Sequence, residues 1–385
     1  MRTEFLPFHT PLIGEEEIQC VVETMRSGWL TTGCQTRRLE EAFRAIVGAR
    51  HAIALNSGTA ALHLALDALD VRDGDEVIVP TMTFAATAEV VAYCRATPVL
   101  VDCAPDTLNI DPDAVERALT PRTKAIVPVH FAGRPCAMDR LLEIAGARGV
   151  AIVEDAAHAF PAWYGDRMIG AIGDITCFSF YATKTITTGE GGMATTDRDD
   201  LADRMRIMSL HGISRDAWKR YTADGTWYYE ILRPGFKYNL TDIAAAIGLA
   251  QLEKRTRLLD ARRRIAERYE AGFAALPEIR RPAWPDDGSA WHLYVIQLDL
   301  DRLTIGRNEF IEGLKAARIG ASVHFIPLHL HPYYRASFGY TPADFPNASA
   351  AFERIVSLPI FPGMTETDAD DVIETVARIV VEHRR

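Results

Sequence analysis

The sequence predicts an α/β fold: a mostly parallel seven-stranded sheet with helices on both faces, followed by a smaller C-terminal α+β unit. Three observations carry that prediction. Seven short apolar runs alternate with helix patterns through the first half of the chain. Those runs are apolar at nearly every position, as strands covered on both faces are. A long helical stretch then meets a break at Pro277, Pro282, Pro285 and Gly288, beyond which the order of elements changes. At 385 residues the chain is too long for one small core, and two domains are expected, over 1–250 and 251–385.

Taken in order, Pro11 to Ser27 reads as a helix ending at Gly28. Gln35 to Val47 reads as a second helix, with Leu39, Phe43 and Ile46 on one face. Strands are expected at Ala52–Leu55, Glu76–Val79, Pro98–Val101, Lys124–Val129, Val150–Glu154, Ile175–Phe180 and Met193–Thr196. Helices are expected between them at Thr59–Leu69, Ala85–Cys94, Asp113–Leu119 and Met138–Arg148, then near Asp199–Ser209. Seven aromatics follow within 21 residues: Trp218, Tyr221, Trp227, Tyr228, Tyr229, Phe236 and Tyr238. Against 9% aromatics overall, that excess points to a subunit interface, a substrate wall or a packed loop. Thr241 suits an N-cap for one helix running to about Ala275, a bridge longer than a compact domain needs. Beyond the break come a strand (His292–Leu298), a helix (Asn308–Arg318), a strand (Ala321–Phe325) and helices at Ala348–Ile355 and Thr367–Val381.

Composition narrows the function. Apolar content of 48% and charged content of 24% are those of an ordinary globular protein. A net charge of -10 argues against nucleic acid as a partner. The six cysteines form no C-x-x-C pair and no zinc spacing, so they read as reduced thiols in a cytoplasmic protein without a metal site. No signal peptide is expected at the start. The longest apolar stretch, Val77 to Cys94, is interrupted by Pro80 and Glu89, so no membrane span is expected.

In parallel sheets, ligands sit beyond the carboxyl ends of strands, and four features stand there. Asn56-Ser57-Gly58-Thr59 turns a strand into a helix through small hydroxyl residues, a pattern that suits a phosphate as well as a plain N-cap. Phe84, after the second strand, suits either a stacked planar ring or core packing. Asp155 closes an apolar strand, and a buried carboxylate needs a cationic partner. His158 follows three residues later, placed to hydrogen-bond or to stack. Finally Ser179 and Lys184 precede a glycine-rich turn, Gly189-Glu-Gly-Gly192. A desolvated lysine amine is a nucleophile, although one lysine after one strand also reads as a solvated loop residue. Together these features suit pyridoxal phosphate (PLP). Lys184 would hold the aldehyde covalently and Asp155 would keep the pyridine nitrogen protonated.

At this point the chain resembles the DegT/DnrJ/StrS family of PLP-dependent sugar-nucleotide aminotransferases over nearly its whole length. The matching stretches are Ser27–Gly33, Asn56–Leu64, Glu154–Ala159, Phe178–Gly192, Gly235–Asp242 and His324–Tyr334. The resemblance is strongest to the enzymes that make 4-amino sugars. Phe84 stands where the aminoarabinose members carry Trp, and Gly58 replaces a slightly larger residue. The resemblance implies a fold-type-I homodimer with each site at the subunit interface. It further implies Lys184 and Asp155 as catalytic residues, with Gly58, Thr59 and Ser179 at the phosphate and Phe84 on the ring. His158 would lie near the phenolic oxygen, and Asn239 would reach the phosphate from the other subunit. His329, Trp29, Thr31 and Tyr333 would border the sugar.

The reaction so implied moves an amino group from L-glutamate to a nucleotide-linked keto sugar, 4-keto before 3-keto, and releases 2-oxoglutarate. A PLP-dependent sugar dehydratase is the rival that Lys184 speaks against. A cysteine desulfurase would need a late thiol, and no cysteine follows Cys177. A non-catalytic PLP-bound regulator would need a nucleic-acid footprint that is not visible. Arg215, Lys219, Arg220 and Arg233 could meet the diphosphate, or be solvated surface charges.

Overall fold

A computed structural model describes residues 2–214, 228–282 and 288–385. Trp218, Tyr221, Trp227, Arg215, Lys219, Arg220 and Pro285 lie outside the described residues.

Seven strands form the main sheet: β1 (His51–Leu55), β2 (Glu76–Pro80), β3 (Thr97–Val101), β4 (Thr123–Ile126), β5 (Ala151–Asp155), β8 (Ile175–Ser179) and β9 (Gly192–Thr196). A small antiparallel hairpin, β6 (Trp163–Tyr164) and β7 (Arg167–Met168), interrupts the series. The order across the main sheet is β1-β9-β8-β5-β4-β2-β3. Only β9 runs against the rest, pairing antiparallel with both β1 and β8. The apolar runs become strands because alternate residues bury on opposite faces. Ile53, Val77, Val79, Val153 and Cys177 face one core, whereas Ala52, Ile78, Ile152 and Phe178 face the other.

Helices cover both faces. α3 (Gly58–Ala68), α4 (Ala86–Tyr93) and α7 (Asp199–Met208) pack on the first face. α2 (Cys34–Val47), α5 (Pro112–Ala118), α6 (Met138–Arg148) and α8 (Asp242–Glu253) pack on the second, and α1 (Glu15–Arg26) lies on α8. In α2 the buried apolar residues, Leu39, Phe43 and Val47, stand four apart on one face. Phe43 meets Phe160, Phe178 and Phe180 at ring distances of 4.7, 5.0 and 5.6 Å. Truncating it to alanine is expected to cost about 3–5 kcal/mol.

The expected single helix from Thr241 is two: α8, capped by Thr241 Oγ1, and α9 (Arg255–Gly272). They part at Lys254, whose backbone leaves the helical region (φ -95°, ψ 12°) while its ammonium pairs with Glu17. Beyond them a second sheet, β10 (Ile279–Arg280), β11 (Tyr294–Leu298) and β12 (Ile355–Leu358), is antiparallel throughout. α9, α10 (Arg307–Ala316) and α13 (Glu366–Glu382) enclose its core. Two short helices, α11 (Pro332–Phe338) and α12 (Pro346–Phe352), complete the chain. The N-terminal segment also joins this unit, because Leu6 bridges to Ile319 and buries in the same core.

Two local expectations need correction. The helix expected over Ala348–Ile355 ends at Phe352, and Ile355 opens strand β12, where its β-branched run pairs with β11. The strand expected at Ala321–Phe325 is reduced to one bridge, Ser322 with Ser357. The residues after it leave the sheet and turn toward the main one. Among the described residues no helix is long and apolar enough to cross a membrane.

Candidate active site

The carboxyl ends of β1, β2, β5 and β8 open on one cavity of about 520 Å³. Ser57, Gly58, Thr59, Phe84, Asp155, His158, Ser179 and Lys184 all line it, so the structure gathers eight residues from four strand ends. At the first end, Ser57 caps α3 by accepting the Ala60 N–H at 3.0 Å. The N–H groups of that first turn are left facing a site suited to an anion. A Cβ at Gly58 would come within 2.9 Å of the Ser179 Cβ, and one at Gly192 within 2.4 Å of Ser57 backbone. The glycines therefore bring two protein turns together, and Ser57, Thr59 and Ser179 line the same cavity.

Asp155 is the last residue of β5 and is buried. Its Oδ2 accepts from Thr87 Oγ1 at 2.8 Å and its Oδ1 from the Ala157 N–H at 3.1 Å. Thr87 spends its one proton on Asp155, so Thr83, 2.8 Å away, must donate to Thr87. Burial raises the Asp155 carboxyl above its ordinary range, and Thr87, Ala157, Lys184 and His130 recover only part of that rise. The amine of Lys184, half-buried in the loop after β8, has no hydrogen bond or ion pair among the described residues, while its backbone N–H donates to the Tyr181 carbonyl at 2.9 Å. Burial pushes its amine down to about 8, Asp155 pulls it up and Arg262 pulls it down again. An amine so placed is partly unprotonated near neutral pH.

Four histidines wall the cavity: His9, His158, His292 and His324. Burial, Arg262 and Lys184 hold His9 down to about 3 against a bond to the Ala182 carbonyl. Burial and Lys184 hold His324 down to about 4, and its Nδ1 meets Ser357 Oγ at 2.9 Å. His158 and His292 stand with ring centroids 4.3 Å apart, both well below the ordinary imidazole value through burial. The Nδ1 of each is buried without a partner. These four rings are thus held toward the neutral form.

The remaining expected site residues do not line this cavity. His329 is fully buried, with its ring nitrogens 2.8 Å from Thr81 Oγ1 and 3.0 Å from Ser349 Oγ and its ring stacked on Phe345. His324, five residues earlier, takes the place at the cavity instead. Trp29 is exposed, its indole N–H on the Thr32 carbonyl, and the Thr31 carbonyl accepts from Asp242 N–H. Asn239 donates to Thr32 Oγ1 at 2.7 Å, and Tyr333 lies exposed against Tyr334. His9 and His292 were not singled out from sequence. The one available signal was His292 at the head of the alternating run Trp291-His-Leu-Tyr-Val.

The profile of the DegT/DnrJ/EryC1/StrS aminotransferase family matches residues 11–377. The chain belongs to that family. It is 52% identical over 381 residues to the spore coat polysaccharide biosynthesis protein SpsC of Bacillus subtilis, covering 98% of each chain. Among solved structures, Spr1654 from Streptococcus pneumoniae, in PMP and PLP forms, superposes with a TM-score of 0.91 at 37% identity over 98% of this chain. That match covers 98% of the Spr1654 chain in the PMP form and 99% in the PLP form. PseC of Helicobacter pylori, an aminotransferase in the biosynthesis of pseudoaminic acid, matches with a TM-score of 0.91 at 28% identity, over 99% and 100% of the two chains. The fold-type-I expectation therefore holds, and the family member described here is a PLP-dependent aminotransferase. Its cavity suits that cofactor. It offers a free amine at Lys184, a buried carboxylate at Asp155, a helix N-terminus with three hydroxyls, an exposed ring at Phe84 and an unpartnered His158 Nδ1.

Proposed function

We propose that this enzyme transfers an amino group from L-glutamate to a nucleotide-linked keto sugar, with the 4-keto position favoured. The observation that carries the reading is that Lys184 and Asp155 open on one cavity of about 520 Å³, walled by four histidine rings. That volume suits a cofactor and part of a sugar together. PLP, when bound, supplies an aldehyde that carries the amino group and a protonated ring that accepts the electron pair freed at carbon. Asp155 would hold the ring N–H. The first turn of α3, with Ser57, Thr59 and Ser179, would take the phosphate, and Phe84 would cover the ring. Lys184 would hold the cofactor and then move the proton at the reacting carbon, which its amine near 8 allows. The neutral histidines keep water and competing cations from that proton.

SpsC and PseC act in polysaccharide and pseudoaminic acid biosynthesis, which supports a sugar acceptor here. A homodimer belongs to the same proposal. Exposed Ile13, Ile18, Met25, Trp29 and Leu30 on one stretch, and Ile231 and Leu232 on another, supply apolar surface for it. Asn239 would then act on the partner's phosphate, and Trp29, Thr31 and Tyr333 would border the sugar across the interface. The division into domains at residue 250, the cytoplasmic location and a role for Arg233 at the diphosphate are proposed with it; six free thiols suit a reducing compartment. The test is a panel of UDP-, dTDP- and GDP-linked keto sugars with glutamate, scored by the mass of the amino product. A holoenzyme that loses its absorbance with glutamate yet aminates none of them would overturn the acceptor.

A further inference from the structure

Arg262, on α9, is the largest fully buried side chain in the described protein. It has no carboxylate partner among the described residues, and its Nε and Nη2 have no hydrogen-bond partner. Its Nη1 donates to three carbonyls, Trp291 at 3.3 Å, His292 at 3.2 Å and Ile360 at 2.7 Å. His292 and Ile360 both line the active cavity. One guanidinium arm thus ties together the two stretches that bring the second unit to the site. A guanidinium cannot shed its proton to escape burial, so the charge stays. An unpaired buried charge is costly for folding alone, and three carbonyls would equally suit a neutral donor. Something other than packing accounts for a full cation at this place.

We propose that Arg262 is a positioning residue of the active site, fixing the His292 and Ile360 wall and setting an uncompensated positive charge behind the cavity that holds Lys184. The inference rests on the reading of Lys184 as the acting amine. The groups facing Lys184 are Asp155 from β5, His158 from the turn after it, His9 from the N-terminal segment, and His292 and His324 from the second unit. Glu190 lies on the same cavity. Arg262 acts on Lys184 and on two of these at once, lowering Lys184, His9 and His292. Its charge adds to burial, the larger effect, in opposing Asp155, whose carboxylate favours the protonated amine. The fork and the charge therefore serve one end: a fixed wall around an amine that can lose its proton.

The test is the pH dependence of Lys184 labelling by a small amine-reactive reagent in the full chain freed of cofactor, read at the Lys184 peptide by mass. Arg262→Gln keeps a donor for the carbonyls and removes the charge. Its labelling midpoint is expected to rise by about one pH unit, leaving about tenfold less free amine at neutral pH. Arg262→Lys keeps the charge and should hold the midpoint near that of the parent. An unchanged midpoint in Arg262→Gln overturns the inference. Should that variant not fold, Arg262→Lys decides: a parental midpoint supports the role of charge, and a raised one, with the charge still present, overturns it. Lys184→Ala separates the two readings. If it still turns over, the amine itself was misassigned; if it is dead and the midpoints do not move, only Arg262 was.

Discussion

Glu154 and Asp155 stand side by side at the end of one strand, both buried, and serve opposite faces of the sheet. Glu154 accepts from His130 Nε2 at 3.0 Å, the Gly173 N–H at 2.8 Å and Thr176 Oγ1 at 2.8 Å. The Cys136 N–H points at His130 Nδ1, so that nitrogen is an acceptor and the ring proton sits on Nε2, toward Glu154. Burial would raise the Glu154 carboxyl, but these donors hold it below the usual range. Asp155 has two donors and an open side, and it is raised. Equal burial thus gives one saturated structural carboxylate and one that still wants a partner. The number of donors, not depth, separates scaffold from site.

The strongest way to break this comparison lies at the cavity itself. Lys184→Ala is expected to lower turnover at least about a thousandfold while the protein still folds, measured as amino product per folded molecule. Asp155→Asn should follow, losing about a hundredfold or more in kcat. Its stability carries the opposite sign. A carboxyl raised in the folded state binds its proton more tightly there, so the stability it supports is present at low pH and falls as pH rises through the folded value. The cofactor-free Asp155→Asn protein should therefore unfold at the same temperature as the parent or higher at neutral pH. A lower unfolding temperature would make Asp155 a structural residue.

Across the sheet the expectation reverses. Glu154→Gln should cost about 1–3 kcal/mol of stability at neutral pH, with kcat per folded molecule changed by no more than about twofold. Its carboxyl is depressed, so its contribution is present above the unfolded value and lost as pH falls through the folded one. Parent and variant should converge in acid, as denaturant titrations at several pH values would record. The smallest effect sharpens the same contrast with histidines. His329→Ala should lose about 1–3 kcal/mol from two broken side-chain bonds, whereas His324→Ala should lose less, about 1 kcal/mol from its one bond to Ser357, and raise KM about threefold. A reversed pattern would return the sugar-bordering role to His329.

Much of this was legible from sequence, for a local reason. Strand-end residues inherit their place from the period of the strand and the turn after it. Gly58, Thr59, Phe84, Asp155, His158, Ser179 and Lys184 could therefore be named before any coordinates, and all meet in one cavity. The break at Lys254, the loss of a strand after Ser322 and the gain of β12 were not legible, because each depends on a distant partner rather than on local pattern.

The chain's own order of residues thus determined the sheet, its carboxyl edge and the placing of an amine and a carboxylate at that edge. The tertiary structure alone decided which histidines wall the site. His9, His292 and His324 arrive from the N-terminal segment and the second unit, far from Lys184 along the chain. It also decided that His324 faces the cavity while His329 is sealed behind it, and that Arg262 stands uncompensated beside both units. Periodicity fixes which face a residue takes within its own element. Which elements close over that face is set by long-range packing, whose energy no short stretch of sequence contains.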